Sequence, residues 1–336
     1  IGDTLGPGGV FRGLRSFPVL IALAKEMEEV CPPDALLMNY SNPMAMNTWA
    51  IFENSPVHVV GLCHGVQGTA EWMARMIGAP VEKIDYWCAG INHMAWFLQF
   101  RRDGKDAYPD LKRVLSNSET VAAENERVRC HMMENFGYFM TETSGHLSEY
   151  VPWYRKRQDL MERFMGSRFG GETGFYLRLC EESLEKYLHD INQQIAGEKP
   201  ARLTARSTEY CSYILEACET GRPFRFNGNV RNTGLITNLS QGCCVEVPCF
   251  ADRLGIHPVH VGDLPPQCAA LCRSNVTVQE LAVKGGTSGD RNLVFQAVLH
   301  DPLTAAVCGI DEVREMVDEL FAAQARWLPQ FAKEIS

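Results

Sequence analysis

A chain of 336 residues with 46% hydrophobic and 22% charged residues is long enough for two domains and has the balance of a globular protein. Its formal net charge of -9 argues against nonspecific nucleic-acid binding, and no apolar run approaches the ~18 residues of a membrane span. Thirteen scattered cysteines without a CxxC pair point to a reducing, cytoplasmic compartment rather than to a disulfide framework.

Ile1-Gly2-Asp3-Thr4 is neither an initiating methionine nor a signal peptide, and the chain reads as beginning inside a longer gene product. Asp3-Thr4-Leu5-Gly6-Pro7-Gly8-Gly9 is a glycine- and proline-rich turn. Residues 10–30 have helical spacing (Phe11, Leu14, Leu20, Leu23, Met27), with a kink or break expected at Pro18. Gly8 and Gly9 before a helix can cradle an anion or cofactor, or can simply form its entry loop. Ala35-Leu36-Leu37-Met38-Asn39-Tyr40 reads as a buried strand, followed by Ser41-Asn42-Pro43 and a helix over 44–52. Asn42 is there a helix cap, a common use of asparagine, or a ligand contact at a strand's carboxyl end.

Val57-His58-Val59-Val60 is the next strand, and 70–76 the next helix. Between them lies Gly61-Leu62-Cys63-His64-Gly65-Val66-Gln67-Gly68-Thr69, a cysteine and a histidine on a glycine-flanked turn. The pair is a candidate soft-metal or nucleophile site. Alternatively, Cys63 is a small buried hydrophobe and His64 a turn residue. Residues 84–91 form a strand ending at Asn92-His93, and 94–100 another. Strands alternating with helices imply an α/β sheet.

Beyond about residue 100 charge rises. Residues 111–136 read as helical, 146–154 as an aromatic, proline-broken loop over a site, and 172–198 as a helix or helix pair. Residues 207–217 form a capped helix on which Tyr210 or Tyr213 faces either a site or the core. Residues 224–238 and 242–250 read as strands, the second half-buried with Cys243 and Cys244 on opposite faces, and 268–336 as mostly helical. The expected architecture is a partial Rossmann-like α/β sheet over 1–100 followed by an α+β substrate and oligomerisation domain over 101–336.

Several stretches together resemble the α-galactosidase (melibiase) branch of the family-4 glycoside hydrolases. They are residues 3–9, Asn39-Tyr40-Ser41-Asn42-Pro43-Met44-Ala45-Met46-Asn47-Thr48, residues 61–69, Ala89-Gly90-Ile91-Asn92-His93-Met94-Ala95, Gly228-Asn229-Val230-Arg231-Asn232 and Gln241-Gly242-Cys243-Cys244-Val245-Glu246-Val247. The resemblance implies a fold like that of the lactate and malate dehydrogenases. It also implies NAD⁺ and a divalent metal, usually Mn²⁺, as cofactors, and hydrolysis by redox-assisted elimination rather than by two carboxylates. Position by position it makes Cys63 and His93 metal ligands, Asn42 a substrate and cofactor contact, and Tyr210 the C2 base with Tyr213 as rival. It places Gly8 and Gly9 at the cofactor and His64 as leaving-group acid or sugar contact. Homo-oligomers, dimers or tetramers, are expected, with no nucleic-acid or membrane partner.

Two departures qualify the expectation. The branch reads Cys-His-Ser-Val where this chain has Gly65, which opens an α-galacturonidase or α-glucosidase as alternatives. The strand, glycine-rich turn and helix that would hold the NAD pyrophosphate are expected within a segment on the order of a hundred residues long preceding Ile1; without it the chain would bind NAD poorly and expose a sheet edge. A dehydrogenase of the lactate/malate type and an inactive sugar-binding fragment complete the alternatives.

Overall fold

The computed structural model describes residues 2–200 and 206–332. Helix α1 (Gly6–Val30) takes Pro7 in its first turn and runs through Pro18 without ending there. Its face of Phe11, Leu14 and Phe17 is buried, and that packing holds it together across the missing proline N–H. Strand β1 (Leu36–Asn39), α2 (Met44–Asn54) and β2 (His58–Gly61) form one parallel crossover unit, the Rossmann-like part of the fold. Helix α3 (Gly65–Met76) follows directly. Strands β3 (Ile84–Ile91) and β4 (Met94–Arg102) form an antiparallel hairpin through Asn92-His93, and β5 (Lys105–Asp106) adds an edge.

The expected long helix over 111–136 is three short ones, α4 (Tyr108–Leu115), α5 (Ser118–Ala123) and α6 (Arg127–Phe136). The break is chemical: the Asn117 carboxamide accepts from the amides of Glu119 and Thr120 and restarts the chain as a new helix. The stretch expected to be a loop begins as helix α7 (Ser144–Tyr150), whose first turn is capped by the Thr143 hydroxyl accepting from His146 N. Helices α8 (Gln158–Phe164), α9 (Phe175–Ile195) and α10 (Tyr210–Thr220) lead to β6 (Phe224–Arg231), β7 (Cys244–Asp252) and β8 (Gly255–Pro258). β6 stops well short of residue 238. The Asn232 amide binds the carbonyls of Ile236 and Ser240, and its oxygen accepts from Ile236 N, folding that segment into a turn. Helices α11 (Pro266–Ser288), α12 (Arg291–Leu299), α13 (Pro302–Val307) and α14 (Ile310–Gln324) close the chain.

All eight strands belong to one mixed sheet, ordered β1-β2-β6-β7-β3-β4-β5, with β8 beside β7. β6 and β7, from after residue 100, therefore lie between β2 and β3, from before it. Both faces of the middle strands are covered. Along β3 and β4, Ala89, Met94 and Trp96 face the larger core with α1 and α11, while Cys88, Ala95 and Phe97 face a smaller one with α3, α4 and α6. β7 is accordingly buried from Cys244 to Cys249 on both faces rather than half-buried. At the α1–α11 contact the Phe17 ring fills the space where side chains at Gly13 and Gly286 would stand: added Cβ atoms would lie 2.8 and 2.7 Å from it. No helix among the described residues is long and apolar enough to cross a membrane.

Candidate metal centre

The sheet register aligns one transverse row, Asn39, Gly61, Asn229, Glu246, Gly90 and Ala95. Just beyond it the chain leaves β2 at Cys63 and turns from β3 to β4 at His93. A third segment joins from far along the chain. Met140 bridges to Trp96, Thr141 N donates to Ala95 O, and Ala95 N donates to the Thr141 hydroxyl, so Glu142 arrives beside the hairpin turn. Cys63 Sγ lies 3.0 Å from Glu142 Oε1, and His93 Nε2 lies 3.6 Å from the same oxygen. One donor atom from each of the three lies within 4.8 Å of the others.

The charge states suit metal binding. Burial lowers the His93 imidazole to about 4 against the pull of Glu142, so the ring is neutral near pH 7. Its Nδ1 faces Thr4 Oγ1 at 3.4 Å and the Tyr150 hydroxyl at 3.5 Å; a proton held there leaves the Nε2 lone pair for a ligand. Burial by itself would raise the Glu142 carboxyl, but His93, His146 and the Cys63 hydrogen bond outweigh it and hold it at about 2. His146, stacked on His93 with ring centroids 4.8 Å apart, carries the positive charge. Burial opposes that charge, yet its contact with Glu149 and the field of Glu142 bring it to about 9. Burial, with Glu142 and Glu246 adding to it, pushes the Cys63 thiol well up, so its proton would leave only as an ion binds. A thiolate, a neutral imidazole and a carboxylate are donors that a divalent transition metal accepts.

The supporting shell is rigid. Arg129 and Glu126 form a buried ion pair, Ser144 donates to Glu126 at 2.9 Å, and Arg129 also reaches Thr69 Oγ1 at 3.0 Å and Met140 O at 3.3 Å. This ties α3, α6 and the Glu142 segment together. Two hollows open beside the cluster. One of about 320 Å³ is lined by His64, Thr69, Trp72, Arg129 and Glu142, the other, of about 520 Å³, by Asp3, Glu149, Arg155, Arg168 and Tyr176. They share Thr143, His146 and Phe169. A larger hollow of about 620 Å³ beside Leu98, Tyr108 and Gln267 includes no cluster of metal donors among the described residues.

The other expected residues sort as follows. His64 is exposed at the start of α3, its Nδ1 3.5 Å from Glu209, and it lines the smaller hollow. Asn42 stands just before Pro43, the first flanking residue of α2, its Oδ1 accepting from Met44 N at 3.2 Å in a local turn. Gly8 and Gly9 lie inside the first turns of α1, not before it; the end of that helix faces Asp301, whose carboxylate oxygen would stand 3.5 Å from a Cβ at Gly6. Tyr210 is buried with its ring against Phe224 and Phe226, no hydrogen bond reaches its hydroxyl among the described residues, and burial raises its pKa well above the ordinary value. The ring of Tyr213 stacks on Phe224 beneath Arg206. No described contact joins either tyrosine to Cys63 or His93. Sequence reasoning missed Glu142 altogether. His146, Glu149 and Tyr150 fall in the stretch read as lying over a site, and Thr4 in the motif of residues 3–9, but none of the four was singled out.

A Rossmann-like mixed sheet with metal donors at its strand ends matches a known class. The family 4 glycosyl hydrolase description fits residues 1–79, and the family 4 glycosyl hydrolase C-terminal domain fits residues 88–304. The chain belongs to family 4 of the glycosyl hydrolases and is a glycoside hydrolase. It is 45% identical to an α-galactosidase of Rhizobium meliloti (strain 1021), across 100% of this chain and 69% of that one. It is 41% identical to an α-galactosidase of Bacillus subtilis (strain 168), across 98% and 75%. In fold it resembles a 6-phospho-α-glucosidase from gut microorganisms solved in complex with NAD and Mn²⁺ (TM-score 0.80, 19% identity, 98% of this chain and 76% of that one). A 6-phospho-β-glucosidase from Thermotoga maritima, solved with manganese, NAD⁺ and glucose-6-phosphate, is similar too (TM-score 0.74, 17% identity, 97% and 74%).

Proposed function

We propose that the protein hydrolyses terminal α-galactosides with NAD⁺ and a divalent metal, Mn²⁺ by preference. The observation that carries the reading is the 45% identity to an α-galactosidase along the whole chain. The proposed reaction is elimination and addition: oxidation at C3 acidifies the C2 proton, its removal expels the C1 substituent, water adds, and C3 is reduced again. When bound, the metal polarises the sugar's C2 and C3 oxygens and NAD⁺ supplies the redox step. Cys63 Sγ and His93 Nε2 hold the metal, and Thr4 and Tyr150 keep the imidazole turned toward it. His64, at the cleft mouth, delivers a proton to the leaving oxygen or binds a sugar hydroxyl. Tyr210 as the C2 base rests on the family resemblance, and a tyrosine with a raised pKa needs a nearby cation to serve. Asn42, three residues past the end of β1, is kept as the substrate and cofactor contact that the family resemblance implies. Gly8 and Gly9, in the first turns of α1, stay the cofactor contact that the family resemblance implies, and no step is drawn through them. Thirteen unpaired cysteines support a reducing compartment, the cytoplasm, and a homo-oligomer is the expected assembly.

The test is release of nitrophenol from nitrophenyl α-galactoside by the purified protein, with and without NAD⁺, Mn²⁺ and thiol. Activity that needs all three, with solvent deuterium entering C2, is the expected result. Full activity without NAD⁺ would sink the redox route, and C2 exchange that survives Tyr210→Phe would remove Tyr210 as the base.

A further inference from the structure

We infer that Glu142 is the third protein ligand of this metal, and that Gly65 is glycine so that Glu142 can reach it. The inference rests on the metal reading of Cys63 and His93 and adds a donor to it. A carboxylate is enclosed here, its side chain only 7% exposed, and no arginine or lysine pairs with it among the described residues. Its nearest polar partners are Cys63 Sγ and His93 Nε2, the two groups that would hold the ion. A metal-bound cysteine is a thiolate. Here the Cys63 thiol donates to Glu142 at 3.0 Å. Once that proton leaves, a thiolate and a carboxylate so close in a buried site repel strongly unless a cation lies against both. With Glu142 as ligand, a divalent ion, one thiolate, one carboxylate and one neutral imidazole sum to zero charge, the arrangement burial favours.

The backbone is bent to deliver this oxygen. Glu142 has φ 72° and His93 φ 63°, both in the left-handed region that side chains other than glycine rarely occupy. Both are held there by their neighbours, His93 as the turn of the β3–β4 hairpin and Glu142 by the Met140–Trp96 bridge and the Thr141 pairing. Strain of this kind persists where surrounding structure over-determines it. Gly65 completes the case: a Cβ there would stand 2.2 Å from Glu142 Oε1 and 2.9 Å from its carboxyl carbon. Any side chain at 65 pushes the carboxylate off the other two donors. The position that departs from the family pattern is thus the one that touches the third donor.

Titration with Mn²⁺ alone, without NAD⁺ or sugar, tests this by calorimetry and by the loss of the free-ion EPR signal. Glu142→Gln should weaken Mn²⁺ binding at least about tenfold, the scale on which even indirect supports of a metal act. Gly65→Ala should weaken it comparably, and should add nothing once Glu142 is glutamine. Melting in EDTA checks that each variant folds, and Glu142→Asp should recover part of the affinity if a variant proves fragile. In the cobalt-loaded protein, Glu142→Gln should keep the thiolate charge-transfer band while its ligand-field bands change. Wild-type Mn²⁺ affinity in Glu142→Gln, with affinity lost in Cys63→Ser, would overturn the third ligand and leave the metal site standing. Unchanged affinity in Cys63→Ser as well would overturn both.

Discussion

Glu246 shows how much one side chain can load a fold. It lies in the middle of the sheet, 1% exposed, with Asn229 Nδ2 3.3 Å from its carboxylate. Burial, with Glu142 adding to it, pushes its pKa up to about 8. An unfolded glutamate titrates near 4.3, so the folded state keeps a proton that the unfolded state gives up. The stability Glu246 contributes is therefore full below that unfolded value and is lost as pH rises to about 8, at about 1.4 kcal/mol per unit at most. Glu246→Gln removes the slope. Urea unfolding in EDTA should show the variant gaining on the wild type between pH 5 and pH 8; a pH-independent difference would mean that Glu246 is ionised in the fold. At this scale the sequence was half legible. Cys63 and His93 stand at the ends of strands whose apolar runs are plain in the chain. Glu142 sits in Thr141-Glu142-Thr143-Ser144, which has no pattern of its own and is brought to the site only through the bridge of Met140 to Trp96, 44 residues apart in the chain. Gly65 was legible only as a departure from a pattern; its reason is the carboxylate that would collide with a Cβ.

Among the elements, the ones read well were those whose apolar spacing matched their burial: β1, α2, β2, β3 and β4. The misread ones were decided by side chains competing with the backbone, Asn117 between α4 and α5, Thr143 before α7 and Asn232 after β6, where a single amide or hydroxyl ends or starts an element. The Glu126–Arg129 pair does similar work between elements. Arg129→Met leaves Glu126 buried, 8% exposed, without its cation, and should cost about 3 kcal/mol in chemical denaturation. Adding Glu126→Gln should restore most of the loss. If Arg129→Met unfolds at the wild-type denaturant concentration, the pair does not hold α3, α6 and the Glu142 segment together.

For the whole molecule, a parallel crossover unit was visible early, but not that β6 and β7 would insert between β2 and β3. Strand order is set by long-range packing that local spacing does not encode. The consequence is one continuous sheet with α1 and α11 on one shared core. Phe17→Ala, in that core, should cost about 3–5 kcal/mol and lower the melting of early and late segments together. Two separate transitions, with only one of them shifted, would show that the regions before and after residue 100 unfold independently.

Phe17 also carries a consequence of another kind. Its ring occupies the space that side chains at Gly13 and Gly286 would need, one on its own helix and one on a helix 269 positions later in the chain. In terms of descent, these three positions are inherited as a unit with Leu14, whose Cδ2 would also stand 2.7 Å from a Cβ at 286. A lineage that enlarges residue 286 must make room at residue 17 or residue 14 at about the same time, and one that shrinks residue 17 opens a void that larger residues at 13 or 286 can fill. Sequences of this family should therefore show positions 13, 14, 17 and 286 changing in concert, with their summed side-chain volume nearly constant while each varies.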